Sequence, residues 1–358
     1  MCHPVWAPGG TSARPEARNS VNRSGRWLVP FSLLATLAVI VLAVGNGSVY
    51  VPPADILATF GKAVRGEALV GSEVIVWQMR LPRVLTAALV GGALGLAGAI
   101  YQGVFRNPLA DPYLLGTASG AGFGATLVAA VGASVPLLAK LGAPLTAFLF
   151  GLATVLLVAA LARDGASLPT VRLILAGVVV GSIFTAATSF LMVVSREQAA
   201  GMLARLLGGF GFSGWPDVWT LLAFTLPALL LAGAFARALD LLQLGEEGAA
   251  LLGLPVEAVK YLMLGVATLT TAAAVSVAGI IGFVGLIVPH AVRLALGPGH
   301  RRLLPLAVVW GAGFMVLADL LARNVAGPVE VPVGIVTAVV GGPFFLLLLK
   351  GRGQGGAA

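Results

Sequence analysis

Long apolar stretches separated by short polar ones dominate the chain. A helix needs about 20 apolar residues to cross the hydrocarbon core of a bilayer, and these stretches are continuous rather than alternating as in the strands of a membrane barrel. We therefore predict an all-α, polytopic membrane protein with ten transmembrane helices. The predicted crossings are residues 28–45, 84–105, 114–132, 143–162, 172–194, 218–236, 261–280, 284–296, 303–322 and 333–349.

The count of ten depends on how the apolar run Leu262–Pro289 is divided. Its 28 residues would form a helix about 42 Å long at 1.5 Å per residue. Gly279, Gly282 and Gly285 favour a bend between two helices, whereas one strongly tilted helix is the alternative. With the bend and a cytoplasmic N-terminus, 14 of the 22 lysines and arginines lie on the cytoplasmic side and eight outside, as the positive-inside rule requires.

Small residues recur every three or four positions in the second crossing. Gly91, Gly95 and Ala99 are spaced four apart, and Gly92 and Gly98 add to the series. Such spacing lets helix backbones approach closely in lipid. We predict that this helix packs tightly against its neighbours, although the pattern is common to many membrane bundles.

The domain organisation follows from these crossings. Residues 1–27 are predicted to be a cytoplasmic, flexible N-terminal tail, 28–350 the transmembrane domain, and 351–358 a cytoplasmic C-terminal tail. Residues 237–260 form its longest cytoplasmic loop. A signal peptide is the alternative for the first apolar run, but that run is long for this role and no clear cleavage site follows it.

Three arginines lie at outer helix ends, against the positive-inside rule: Arg80, Arg83 and Arg323. Their side chains could extend to the interface by snorkelling. The functional alternative is a basic patch for carboxylates of a soluble partner, since a guanidinium binds a carboxylate at two points.

The loop 237–260 mixes leucines with acids and is too polar to span. Glu246–Leu252 is predicted to form a short helix that Gly253 and Pro255 end. Such a helix either lies on lipid or docks on another protein. Its acids argue against the anionic inner leaflet, which favours docking.

Composition supports the membrane assignment and removes several kinds of chemistry. The chain is 58% hydrophobic and 10% charged, against about 25% charged in soluble domains. It has one cysteine, three scattered histidines, no phosphate-binding loop and no grouped catalytic residues. We predict no catalytic residue, no metal site and no nucleic-acid partner. An ion- or proton-coupled carrier stays an alternative, although such a carrier would usually need ionisable groups at mid-membrane. A membrane scaffold or sensor is a second alternative.

Several ordered motifs resemble one known family, the FecCD-type permease subunits of bacterial ABC importers for iron–siderophores, haem and vitamin B12. The pattern is most similar to that of the vitamin B12 permeases. The motifs are VWQMRLPR (76–83), QGVFRNPLADPYLLGTASGAG (102–122), LILAGVVVGSIFTA (173–186), GGFGFSGW (208–215), LGEEGAALLGLP (244–255), GIIGFVGLIVPHAVRL (279–294), ADLLARNV (318–325) and EVPVGIVTAVVGGPFFLLLL (330–349).

The resemblance implies a type II ABC importer permease of ten helices in the bacterial cytoplasmic membrane, with both termini cytoplasmic. Two permease chains would form a homodimer or heterodimer in the lipid. A cytoplasmic ATPase dimer would bind ATP and Mg²⁺, so this chain needs no cofactor. A periplasmic or lipid-anchored binding protein would deliver a metal chelate. Ferric siderophore is favoured as the commonest substrate of the family, with haem and cobalamin as alternatives.

The resemblance also assigns roles to residues. Arg80, Arg83 and Arg323 match the arginines that receive glutamates of the binding protein. The match to the ATPase coupling helix comprises Glu247, Gly248, Ala249, Leu251, Leu252, Gly253 and Leu254. The match to the translocation pathway and its outer gate, where a short helix is expected within 201–215, comprises Gly177, Gly181, Ser182, Thr185, Ser189, Gly208 and Gly209. Arg205 and the sequence GFGFSG depart from the family pattern at this gate.

Overall fold

The regular elements of the protein are helices. The computed structural model describes residues 15–46, 51–165, 167–327 and 330–353. The helices are α1 (Pro15–Gly45), α2 (Pro53–Val64), α3 (Ser72–Val74), α4 (Leu81–Val104), α5 (Thr117–Val131), α6 (Pro136–Ala162), α7 (Thr170–Val194), α8 (Ala199–Leu206), α9 (Trp215–Ala234), α10 (Ala236–Leu242), α11 (Glu246–Leu251), α12 (Val256–Ala278), α13 (Val284–Leu296), α14 (His300–Asn324) and α15 (Val333–Gly353). A π-helical turn, Ile75–Arg80, joins α3 to α4.

Ten of these helices match the ten predicted crossings, which confirms the fold class. Seven segments of the described chain are long and apolar enough to span a membrane: Leu28–Gly45, Ser72–Val104, Pro136–Ala162, Thr170–Val194, Trp215–Ala234, Val256–Ala278 and His300–Asn324. Three shorter apolar helices, Thr117–Val131, Val284–Leu296 and Val333–Leu346, complete the set.

Helix α1 begins earlier than the predicted first crossing. It starts at Pro15, inside the segment predicted as a tail, because a helix once nucleated extends at low cost through residues that tolerate it. Residues 1–14 and 354–358 of the two predicted tails lie outside the described residues. The apolar part of α1 packs on α14, where Trp310 Nε1 donates to Ser32 Oγ at 2.8 Å. These contacts make α1 part of the bundle.

Helix α4 lies at the centre of the bundle, as its small residues predicted. In the most apolar stretch of 18 residues within Ser72–Val104, 83% of the residues are buried. Its backbone approaches α14 at Gly91, opposite Gly311, and approaches α13 at Gly98, opposite Gly285. No side chain fits between these backbones, so glycine is required there by the close approach itself.

The predicted bend within the run Leu262–Pro289 is present. Helix α12 ends at Ala278 and α13 begins at Val284, so a single tilted helix is wrong. Gly279 adopts a φ of +76°, and a Cβ there would lie 2.2 Å from Arg205 O. The segments 206–209, 278–280 and 331–334 exchange backbone hydrogen bonds at this break. The bend therefore forms the point where three connections meet.

The connections lie on two opposite faces of the bundle. We call the side with the α1, α12 and α14 C-termini the arginine face, because Arg80, Arg83 and Arg323 lie there. The opposite side, which carries the loop 235–255, is the coupling-loop face. Successive crossings thus run from one face to the other, and contacts within each face, such as that between Leu168 and Glu257 on the coupling-loop face, support this arrangement.

Candidate functional site

On the arginine face, Arg83 binds two carboxylates of the same chain. Its Nη2 lies 2.8 Å from Asp319 Oδ1 and its Nη1 lies 2.9 Å from Glu330 Oε1. The Asp319 side chain is 1% exposed, whereas Glu330 is 53% exposed. Arg323 also approaches Asp319, with Nε 3.2 Å from Oδ2. A buried carboxylate between two guanidinium groups is compensated in charge, which explains why Asp319 can lie inside the bundle.

Two of the arginines bind the C-terminal end of α1. Arg80 Nη1 donates to the carbonyls of Val44 and Gly45 at 3.3 and 3.2 Å, and Arg323 Nη2 donates to Ala43 O at 3.3 Å. The last carbonyls of a helix lack intrahelical partners and carry partial negative charge. These guanidinium groups therefore fix α1 to α4 and α14.

The three predicted docking arginines thus lie together, but they are engaged inside the chain. Arg80 is 8% exposed, and the side chains of Arg83 and Arg323 are 14% and 11% exposed. A partner's carboxylate would have to share or exchange these contacts. Their docking role stays a prediction.

On the coupling-loop face, α11 forms where the short helix was predicted. The leucines at its C-terminal end are not covered by the described chain: Leu251 is 90% exposed and Leu252 is 62% exposed. Ala249, on the other side of the helix, is fully buried. A short helix that is buried on one side and exposes leucines on the other is typical of an interaction site rather than of a loop that only connects helices.

Glycine ends α11 in a defined geometry. Gly253 has a φ of +83°, its N–H donates to Ala250 O at 2.9 Å, and the N–H of Leu254 donates to Ala249 O at 3.1 Å. This pair of bonds is the Schellman motif, which needs a left-handed residue and hence favours glycine. Of the predicted coupling residues, Ala249 and Leu254 anchor the helix. Those on its exposed side are Glu247, Leu251, Leu252 and Gly253.

Most of the predicted pathway residues line one cavity along α7. The lining includes Gly177, Gly181, Ser182, Thr185 and Ser189 from α7, together with Asp111, Tyr113, Leu114 and Ser119. The hydroxyls of the exposed Ser182, Thr185 and Ser189 donate to carbonyls four residues earlier. Gly177 is different, because it is buried and a Cβ there would lie 2.3 Å from Leu114 O. It is a packing position against the loop 105–116.

Asp111, which was not among the predicted site residues, contributes a carboxyl group to this cavity. It lies in the loop between α4 and α5, where its Oδ1 accepts the Tyr113 N–H at 2.8 Å. Burial raises the pKa of its carboxyl to about 6, and the hydrogen bond from Tyr113 opposes that rise. Its position in the sequence between two apolar crossings was visible, but its burial was not.

The predicted gate contains a short helix, α8, and two glycines with different surroundings. Gly208 is buried at the three-way junction, with a φ of +77°. Gly209 is exposed and lines a second cavity, of about 580 Å³, with Arg205, Asp217 and Glu330 among its walls. Glu330 therefore belongs both to the arginine cluster and to the wall of this second cavity.

An ion cluster of Lys260, Glu246 and Glu257 lies on the coupling-loop face and was not predicted from the sequence. Lys260 is 1% exposed and binds Glu246 and Glu257 at 3.1 and 3.0 Å. The sequence places Lys260 at the start of an apolar helix, but it does not indicate the third partner, the carbonyl of Leu168 in the loop before α7. Among the described residues, no group of three or more histidines, cysteines or acids could hold a metal ion.

Comparison with known proteins matches nearly the whole chain. The model of the FecCD transport family matches residues 33–351. The chain is 46% identical over 281 residues to the cobalamin import system permease protein BtuC of Halobacterium salinarum, covering 78% of this chain and 74% of that one. It is 41% identical over 283 residues to the hemin transport system permease protein HmuU of Yersinia pestis, covering 78% and 84%.

A solved structure shows the same architecture. It is described as a metal-chelate type ABC transporter in an inward-facing conformation, and it superposes with a TM-score of 0.78 at 31% identity. The match covers 90% of this chain and 98% of the other. The helix count and order derived above are therefore those of an experimentally determined transporter.

Proposed function

The chain belongs to the FecCD transport family of ABC importer permeases, and on that premise we propose how its parts serve the import of a metal chelate. It is a multi-pass, type II permease subunit, and ATP hydrolysis belongs to a partner subunit. Two copies, or this chain and a related permease, surround the pathway in the cytoplasmic membrane. Residues 28–350 form the transmembrane domain, and both tails are cytoplasmic.

The observation that carries the proposal is the exposed apolar tip of α11. Leu251 and Leu252 face outward at 90% and 62% exposure, on a helix only six residues long. A groove on a cytoplasmic ATPase would cover them, as amphipathic helices are covered in other complexes. The acids Glu246 and Glu247 in its first turn oppose adsorption to an anionic membrane surface.

The substrate is proposed as a metal held in a large organic chelator. Two relatives reported above are named for cobalamin and hemin, so a metal macrocycle is the first substrate to test. Ferric siderophore, which the sequence resemblance favoured, is the second. The pathway residues Ser182, Thr185 and Ser189 use their hydroxyls within their own helix. They present a weakly polar wall that suits a bulky substrate without binding it tightly.

The binding protein is proposed to dock on the arginine face. An incoming carboxylate would compete with Glu330, which is 53% exposed, for Arg83. It would not displace the buried Asp319 from the same guanidinium. Docking should weaken as salt is added, since contacts between exposed charges are screened. Charge reversal at Arg83 with unchanged docking and unchanged salt dependence would contradict this part.

The central experiment is uptake into proteoliposomes. The chain is reconstituted with its ATPase and binding protein and tested with cobalamin, haemin and a ferric siderophore. Leu251→Asp should abolish ATP-driven uptake, while the control Val70→Asp, an exposed apolar position on the opposite face at 69%, should retain it. Equal uptake by the two variants would refute the coupling role of α11.

A second measurement tests the sidedness. Cys2 is the only cysteine, so a Cys2→Ser background allows single cysteines at Gly248 and Gly66 to be labelled from either side. We expect Gly248→Cys to react only from the cytoplasm and Gly66→Cys only from outside. Labelling of Gly248→Cys from outside would overturn the proposed function as a whole.

A further inference from the structure

Lys260 is a buried cation whose three N–H donors are all used. Its Nζ donates to Leu168 O at 2.9 Å, to Glu257 Oε1 at 3.0 Å and to Glu246 Oε1 at 3.1 Å. The residue is 1% exposed. An ammonium group has three donors, and burying it is costly unless it is paired and hydrogen-bonded. This position therefore depends on all three acceptors together.

The acceptors come from three different elements. Glu246 is the first residue of α11, Glu257 lies with Lys260 on α12, and Leu168 lies two residues before α7. Glu257 Oε2 also accepts the Leu168 N–H at 3.0 Å. The α12 side chains thus bind both backbone groups of Leu168, and through Lys260 they bind α11 as well.

This cluster holds the N-terminal end of a helix that the described chain covers only in part. Only 17% of the most apolar window of α7 is buried, although α7 carries most of the predicted pathway residues. The remainder of the coupling loop is attached elsewhere, since Asp240 Oδ1 accepts from the His300 backbone and Gln243 donates to Gly103 O. Within the described chain, the Lys260 contacts form a polar link from α11 toward α7.

We propose that Lys260 is a positioning residue that makes α11 and the N-terminal end of α7 move together when the ATPase acts. A displacement of α11 pulls on Glu246, and the Lys260 ammonium transfers it to Leu168 at the start of the pathway helix. The inference rests on the proposed function, because it requires α11 to receive the ATPase. It adds a specific route from that helix to the pathway.

The test separates coupling from stability. Lys260→Met keeps an unbranched side chain of similar length but removes all three donors. The measured quantity is substrate transported per ATP hydrolysed by assembled complexes, which a loss of folded protein alone would not change. We expect this ratio to fall about fivefold or more, the lower range of measured allosteric couplings. Glu246→Ala, which removes the acceptor on α11 but leaves the contacts to Leu168 and Glu257, should give a smaller fall.

Distance measurements report the link directly. Spin labels at Gly248 on α11 and Val171 on α7, in a Cys2→Ser background, should keep one narrow distance with and without ATP. In Lys260→Met the distribution should broaden. The matched control is Arg172→Met, which breaks an exposed pair with Asp164 at the start of α7 and should change neither readout.

The outcomes distinguish the two levels of the hypothesis. If the unmodified complex does not couple ATP hydrolysis to uptake, or Leu251→Asp is harmless, the proposed function fails. If both behave as expected and Lys260→Met keeps the ratio and the narrow distance, only the role of Lys260 is overturned. Should Lys260→Met not assemble, Glu246→Ala decides, and an unchanged ratio in that variant also overturns the role of Lys260.

Discussion

Replacement of Gly91 by alanine tests the idea that backbone contact between helices holds the bundle together. A Cβ at Gly91 would lie 2.1 Å from Gly311 O and 2.5 Å from Met315 Cβ. A carbon atom approaches a carbonyl oxygen no closer than about 3.3 Å. Helices α4 and α14 would therefore have to separate locally by about 1 Å, and the buried contacts on both sides of the site would loosen.

The size of the effect follows from two opposing contributions. Overpacking a close-packed interior costs about 1–3 kcal/mol, whereas removing a glycine from a helix stabilises it by about 0.5–1 kcal/mol through backbone entropy. Gly265 in α12 isolates the second contribution, because it is exposed and no atom of the described residues lies within 4 Å of its added Cβ. The entropy gain is common to both variants, so we expect Gly91→Ala to be less stable than Gly265→Ala by the overpacking cost alone, about 1–3 kcal/mol.

The assay is thermal unfolding of the full chain in detergent, followed by tryptophan fluorescence and by the loss of the monodisperse peak in size-exclusion chromatography. In a chain of this length, a difference of this size corresponds to about 1–4 °C between the midpoints of the two variants. A midpoint for Gly91→Ala at or above that of Gly265→Ala would show that α4 and α14 do not meet backbone to backbone, and would refute the packing described above.

Three further predictions concern single polar contacts. Arg83→Ala leaves the 1% exposed Asp319 without its main partner and should destabilise the chain by about 3–5 kcal/mol; in a double-mutant cycle of thermal midpoints, adding Asp319→Ala should recover part of this loss, and strict additivity would contradict the pairing. Gln102 donates to the Gly285 carbonyl, which has no helical partner because Pro289 lacks an N–H. Gln102→Leu removes this donor and should lower stability by about 1–3 kcal/mol in the same assay. Burial raises the pKa of Asp111 to about 6, so between about pH 4 and 6 the folded protein binds a proton at this carboxyl that the unfolded protein lacks, and this group stabilises the fold increasingly as the pH falls. The thermal midpoint of Asp111→Asn should therefore exceed that of the unmodified chain at about pH 7.5 and converge with it near pH 5. An equal difference between the two midpoints at both pH values would contradict a buried, charged Asp111.

Local features of the fold could be predicted from the sequence because they depend on neighbouring residues. The length of an apolar run fixes a crossing, Gly279 permits the bend before α13, and Gly253 ends α11 in its left-handed conformation. The extension of α1 to Pro15 and the separate helices α2 and α10 were not predicted. None of these segments contains an apolar run long enough to cross a bilayer, so the run length that identifies a crossing does not mark them.

The site was predictable in its positions but not in its partners. Arg83 could be located at a helix end, yet its carboxylate at Asp319 is 236 residues away in the chain. Leu168 and Lys260 are 92 residues apart. Pairings of this kind depend on the relative rotation and height of helices, which apolar periodicity does not specify. The same limit applies to Gly177, whose place in the pathway stays a prediction and whose close approach to Leu114 the sequence did not indicate.

The distribution of close contacts indicates which helices can move during transport. The contacts between Gly91 and Gly311 and between Gly98 and Gly285 join α4 to α14 and α13 at distances that admit no side chain, and packed interfaces of this kind rearrange in discrete steps rather than continuously. Helix α7 is less enclosed by the chain, since only 17% of its most apolar segment is buried, and its close backbone approach, at Gly177 opposite Leu114, is to the loop before α5 rather than to α4, α13 or α14. The conformational change should therefore displace α7 against a fixed α4–α13–α14 core. Spin labels that report a constant distance between α4 and α14 and a changing distance between α4 and α7 on ATP binding would agree with this; the reverse pattern would show that the glycine contacts are themselves the moving interface.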